Sequence, residues 1–185
     1  MERLSGNGGI ARLGELLREG EGLMAELVRR DGVRSPNGAW SPAPRAAAGP
    51  RAAGRRAEYE LLVEAIYEGY LLHYGRPRLI APAEADLGLL AGDQLYAIGL
   101  ARLVELGDTV AVAELADTIT LSALAHGAGE PELAQAAWAA GATAVGWGPA
   151  EDHRRAKQMV LEGDPGALEA MRTCFATALG GPAPR

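Results

Sequence analysis

Apolar residues recur along this chain at intervals of three and four, the spacing of one helix face, and strand-like runs of Val, Ile and Thr are nearly absent. The clearest stripe runs from Ala57 to Tyr74, where Tyr59, Leu62, Val63, Ile66, Tyr67, Tyr70, Leu71 and Tyr74 follow that spacing. Gly75 and Pro77 end it, since neither continues a helix. A second stripe, Leu13, Leu16, Leu17, Met24, Leu27 and Val28, predicts an amphipathic helix over Ile10 to Arg30. Gly20 and Gly22 weaken it by about 1 kcal/mol each relative to alanine. Leu87 to Leu106 differs, being apolar on nearly every face, with Asp93, Arg102 and Glu105 its only charges. A helix of that kind is buried in a bundle or crosses a membrane. Asp93 near its middle would cost several kcal/mol in lipid. The pattern therefore predicts a central core helix and no membrane span.

The remaining punctuation is regular. Gly107 stops that helix and Asp108 caps the next, Thr109 to His126. Gly129-Glu130-Pro131 opens an Ala-rich helix from Glu132 to about Val145, proline being well suited to a first turn. A helix over Glu151 to Leu161 follows, and Gly163-Asp164-Pro165 repeats the stop and start before a last helix reaching about Leu179. The expected fold is all-α, a single-domain bundle of about seven helices. Residues 1–30 form an N-terminal helix, 31–56 a flexible basic loop, 57–180 the helical core and 181–185 a tail. The loop, rich in Pro, Gly and Arg, has no periodic apolar pattern, and a long segment of that kind is functional or disordered.

Composition sharpens this only in places. The net charge of −6 is uneven: Arg29 to Arg56 carries seven arginines against Asp31 alone. Arg45, Arg51, Arg55 and Arg56 are the candidate phosphate-attracting residues of that loop. With Trp40 as its one aromatic, the loop offers no repeated stacking platform, which argues against nucleic acid as a partner. Cys174 is alone, so neither a disulfide framework nor a cysteine metal cluster is expected. His73, His126 and His153 lack ligand partners at helical spacing, and no phosphate-binding or nucleophile motif occurs, so no metal, cofactor or catalytic residue is expected. The first residues lack the apolar core of a signal peptide, and a cytoplasmic location is expected. Asp93, in an otherwise apolar helix, is expected to be at least partly buried and to need a partner.

The segment LLAGDQLYAIGLARLVELGDTVAVAELADTITL, Leu89 to Leu121, resembles the Gly-Asp helix and following helix of the trans-isoprenyl diphosphate synthase superfamily. The preceding EYELLVEAIYEGYLLHYG ends in Leu-Leu-His where the synthases have Leu-Ile-His before their aspartates. The likeness covers roughly Glu58 to Gly148. It implies an isoprenoid-synthase-like bundle. Catalytic members hold magnesium diphosphate on two DDxxD motifs. Here Tyr74, Gly75, Arg76 and Pro77 follow His73, and no Asp-Asp pair occurs anywhere. The chain therefore resembles the small, non-catalytic component I of two-component heptaprenyl diphosphate synthases, and the expectation is a non-enzyme subunit pairing with a DDxxD-bearing catalytic chain. By that analogy the Tyr59–Tyr74 helix and the central helix would supply the contact surface. Tyr67, Tyr70, Leu71, Tyr74, Leu95 and Tyr96 would be interface residues or walls of a prenyl tunnel, unless they are simply core. The alternative is a helical scaffold or adaptor unrelated to isoprenoids.

Overall fold

The computed structural model describes residues 8–20, 22–34 and 40–177. Among them the chain is all-helical, with nine α-helices. These are α1 (Gly8–Glu19), α2 (Leu23–Leu27), α3 (Ala43–Ala48), α4 (Arg56–Tyr74), α5 (Ala85–Glu105), α6 (Thr109–Gly127), α7 (Pro131–Trp147), α8 (Glu151–Glu162) and α9 (Ala167–Thr177). The caps fall where turn chemistry puts them. Asp108 accepts the Ala111 amide at 3.0 Å to begin α6, and Gly163 ends α8 in the left-handed conformation. Pro131 occupies the first turn of α7. The tail, 181–185, lies outside the described residues.

Three expectations about the elements are corrected. The N-terminal helix is two helices, because the chain leaves helical geometry around the two weak glycines and Gly22 adopts a positive φ. The supposed flexible loop is largely built structure from Trp40 onward. It contains α3 and a 3₁₀ turn, Pro50–Ala52, with Ala43, Ala46, Ala47 and Ala52 buried. Alanines without a periodic large-residue stripe hide this, because α3 docks by closeness and not by bulk. Gly146 of α7 lets the two backbones touch, and a Cβ there would lie 2.6 Å from the Ala46 carbonyl.

The third correction concerns which helix is central. The buried axes are α4, whose residues from Leu61 to Tyr70 are all buried, and α7, buried at nearly every position from Leu133 to Gly146. α5 lies outside them. It packs on α4 through Ala91, Gly92, Leu95, Gly99 and Leu103, and leaves its other side open. Gly99 lets it approach, since a Cβ there would run into Ile66. By length and composition α5 is the one described helix apolar enough to cross a membrane, and a third of it is buried. Its charges and its glycine seam against α4 make it an outer helix of the bundle, not a clear membrane span. Three apolar clusters fill the fold: one joins α3, α4, α6 and α7, one joins α1, α2, α4 and α5, and one joins α6 to α9.

Candidate functional site

The site begins with two acids inside α4. Glu64 and Glu68 are four residues apart, hence on one face of the helix, and both are buried. Arg78 answers them, donating to Glu64 Oε2 at 2.6 Å and to Glu68 Oε2 at 3.3 Å. Glu68 Oε1 also accepts the backbone amides of Leu79, at 2.6 Å, and Ile80, at 3.2 Å. Ser41 donates to Glu64 Oε1 at 2.8 Å. Burial raises the Glu64 carboxyl above its ordinary range, and the Arg78 charge only partly offsets it.

This anchor fixes the segment 78–81, which meets 27–34 through one antiparallel bridge, Val28 with Ile80, and flanking backbone hydrogen bonds. Arg29 donates its amide to the Leu79 carbonyl at 2.9 Å, Ala81 to Leu27 at 2.8 Å and Arg34 to Arg78 at 2.7 Å. The ribbon carries Arg29, Arg34, Arg76 and Arg78 to one bowl of about 810 Å³, completed by Val33, Gly75 and Pro77. Among the described residues no carboxylate lines it. Only Arg78 has an acidic partner among the described residues, and the Arg29 Nε is buried without an acceptor.

Sharing Gly75, Arg76 and Arg78 with the bowl is a cleft of about 400 Å³ walled by rings. Tyr67 and Tyr70 stack 5.5 Å apart, and each meets Trp138 at 5.1 Å. Trp40 closes on Tyr67 edge-on at 5.7 Å. Tyr74 lies parallel to His126 at 4.5 Å, and the Tyr70 hydroxyl is 2.9 Å from His126 Nε2. Burial pushes the Tyr67 and Tyr70 phenols up and His126 down, so the phenols stay protonated and the imidazole neutral near pH 7. Trp138 is fully buried, and its Nε1–H has no acceptor among the described residues.

Of the residues singled out from sequence, Tyr67, Tyr70, Leu71 and Tyr74 share this cleft. Leu95 does not; it is core beneath α4. Tyr96 stacks on His73 at 5.4 Å, on the α4–α5 seam. Asp93 is not buried: it is 68 % exposed, because α5 turns its glycine face inward and Asp93 projects from the rim. Its Oδ1 lies 3.2 Å from His73 Nε2 without hydrogen-bond geometry. Nor does α4 offer a free contact surface, since its middle is covered on all sides.

Of the four arginines expected to attract phosphate, Arg51 and Arg55 are engaged elsewhere. Arg51 pairs with Asp108 at 2.6 Å and donates to the Val145 carbonyl at 3.1 Å, while Arg55 donates to the Leu106 carbonyl at 3.1 Å. They cap the carboxyl ends of α5 and α7, where cations are favoured. Tyr59 also bonds to Asp108, and burial with that neighbour raises its phenol to about 12. Arg45 is partly buried, which lowers it, and Arg56 is exposed. Among the described residues, the bowl's cations without an acidic partner are Arg29 and Arg34, at the start of the same basic run, and Arg76. Two acids four apart inside an apolar stripe were the legible sign of the anchor. Nothing in the sequence pairs Trp40 or His126 with Trp138.

Among the described residues, no group of three His, Cys, Asp or Glu side chains could hold a metal ion. No protein-family model, curated protein or solved structure matches this chain.

Proposed function

We propose that the chain is a cytoplasmic, non-catalytic partner subunit of a two-component polyprenyl diphosphate synthase, with an isoprenoid-synthase-like bundle that pairs with a DDxxD-bearing catalytic chain. The observation that carries this reading is the outer face of α5. Leu90 is 62 % and Val104 58 % exposed, and with Ala97 they recur every seven residues along the open side. A seven-residue apolar repeat is the seam that one helix offers to another. Leu89 widens the stripe. An apolar stripe of that length on an otherwise well-packed chain marks an interaction surface. The sequence likeness falls on this same helix. Arg76 and Pro77, standing where catalytic members carry aspartates, support a subunit that leaves metal-assisted ionisation to its partner.

The test is a tagged pull-down from native cell extract, assayed for prenyl transfer from labelled isopentenyl diphosphate with magnesium. An aspartate-rich synthase chain should be recovered, with activity absent from either chain alone. A Leu90→Glu, Val104→Glu double variant should fold normally and lose both. Recovery of partners without prenyl transfer overturns the isoprenoid reading in favour of a scaffold. Undiminished pairing by the double variant overturns the α5 seam.

A further inference from the structure

The arginine bowl gathers more positive charge than the fold neutralises, and the α5 seam plays no part in it. Among the described residues no carboxylate lines the bowl, and Arg29, Arg34 and Arg76 have no acidic partner. Arg78, on the same wall, is matched by Glu64 and Glu68. Three guanidinium charges are left, and like charges brought to one concave surface repel. The main chain holds them there all the same. The Arg29 and Arg34 amides donate to the Leu79 and Arg78 carbonyls. Arg76 is followed by Pro77, which restricts its backbone. Each arginine is thus placed in advance of any ligand, with its side chain left without an acid. The Arg29 Nε is moreover buried without an acceptor, and an unmet buried donor is costly.

The charge sets the ligand. One phosphate group carries about 1.5 to 2 negative charges near pH 7, so three guanidinium groups are matched by two phosphate groups and not by one. The bowl, at about 810 Å³, has room for both. Guanidinium meets phosphate oxygens with paired donors. It meets a carboxylate in the same way, but a carboxylate brings one charge only, and three would have to converge where two phosphates suffice. The wall offers a divalent metal nothing: among the described residues no carboxylate lines it, and no group of three His, Cys, Asp or Glu could hold an ion. The rings of the adjoining cleft would pack against any apolar group and single out none, so the charge alone carries the assignment. We propose that the bowl binds a metal-free anion carrying two or more phosphate groups, held by Arg29, Arg34 and Arg76. Such groups occur free, as diphosphate or triphosphate, or as the esterified end of a larger molecule, and their chemistry in the bowl is the same.

The full chain, without any partner or divalent metal, is titrated by calorimetry with diphosphate, triphosphate, methyl diphosphate, orthophosphate and citrate. Ionic strength is held constant, because salt screens exposed charges. Diphosphate or triphosphate should bind at least tenfold tighter than orthophosphate or citrate, and should raise the melting temperature as a ligand of the folded state does. Excess magnesium should weaken that binding by competing for the anion. Arg34→Ala and Arg76→Ala, both at exposed positions, should each weaken it about tenfold, the scale of one hydrogen bond to a charged group. The melting temperature of the free chain should not change. Arg56→Ala, exposed and outside the bowl, should leave the affinity as it is. Methyl diphosphate binding as tightly as diphosphate supports the bowl as a seat for an esterified end, and its exclusion supports a seat for the free anion. Equal binding of citrate overturns the phosphate assignment, equal binding of orthophosphate the need for two groups, and tightening by magnesium the metal-free state. Undiminished affinity in both bowl variants, or an equal loss in Arg56→Ala, overturns the bowl. No binding of diphosphate or triphosphate up to about 1 mM, the weak end of specific affinity, overturns the proposal. Because no partner is present, none of these results depends on the synthase reading.

Discussion

Two acid-centred clusters lie buried in this bundle, and they shift in opposite directions. In one, Glu64 is 1 % exposed and its carboxyl is held above the ordinary range. In the other, Glu114 on α6 is 5 % exposed and its carboxyl is held below it. Burial raises both, and it is the largest influence in each. What differs is the supply of cations. Glu64 and Glu68 share Arg78 alone. Glu114 has His153 Nε2 at 2.8 Å and Lys157 Nζ at 3.0 Å from both of its oxygens, and Lys157 is steadied by Asp117 at 2.7 Å. Burial sets the penalty, and the ratio of bases to acids decides which carboxylate overcomes it. The first cluster is a lean anchor for the ribbon that holds the bowl. The second fastens α8 onto α6, far from that site in the chain.

Removing the single base of the lean cluster should have the largest effect. Arg78→Met leaves two buried carboxylates without a cation, and stripping one partner from a buried pair costs about 3–5 kcal/mol. Urea unfolding should show that loss, and Glu64→Gln with Glu68→Gln on the same background should recover part of it. No recovery would mean that the guanidinium is needed for its packing and not for its charge. Lys157→Met should cost less, about 1–3 kcal/mol, the scale of a hydrogen bond to a charged group, because His153 remains with Glu114.

Acid titration separates the clusters by sign. Glu64 has a folded pKa above its unfolded one, so its contribution is fully present below about 4.5 and is lost as pH rises through the folded value. Glu114 has a folded pKa below its unfolded one, so its contribution is present above about 4.5 and is lost as pH falls through the folded value. Stability measured from pH 3 to 7 should therefore rise more steeply with pH in Glu64→Gln than in the parent chain. In Glu114→Gln it should rise less steeply at the acid end. Matching slopes in the two variants would show that cation supply does not govern the shifts.

The same contrast explains what was readable in the sequence. Large apolar side chains at helical spacing located α4, and Gly-Asp punctuation located the turns at Gly107 and Gly163 that precede α6 and α9. Placement failed where packing is done by small residues. Alanines concealed α3, and a uniformly apolar α5 looked central when only its glycine face is covered, because composition cannot say which side of such a helix meets its neighbour. Within the site, the α4 residues Tyr67, Tyr70, Leu71 and Tyr74 follow from one local stripe. Trp40, His126 and Trp138 come from three distant segments, and only tertiary packing brings them together. The arginine run was visible as charge. Which of its members stay unpaired depended on Asp108 and on two helix carboxyl ends, partners that no local pattern reveals.

Asp93 gives the smallest expected effect and tests that lesson directly. A carboxylate buried in an apolar helix would shift stability by several kcal/mol if altered without a partner. On the rim of α5 it is mostly exposed, beside a half-buried His73 that stacks on Tyr96. Exposed pairs of this kind contribute about 0–1 kcal/mol, so Asp93→Asn should change unfolding free energy by no more than about 0.5 kcal/mol. Gly92→Ala, one residue away but facing inward, would place a Cβ 2.7 Å from His73 Nε2 and should cost more than Asp93→Asn. The reverse order would mean that the charged residue, and not the glycine seam, holds α5 to α4.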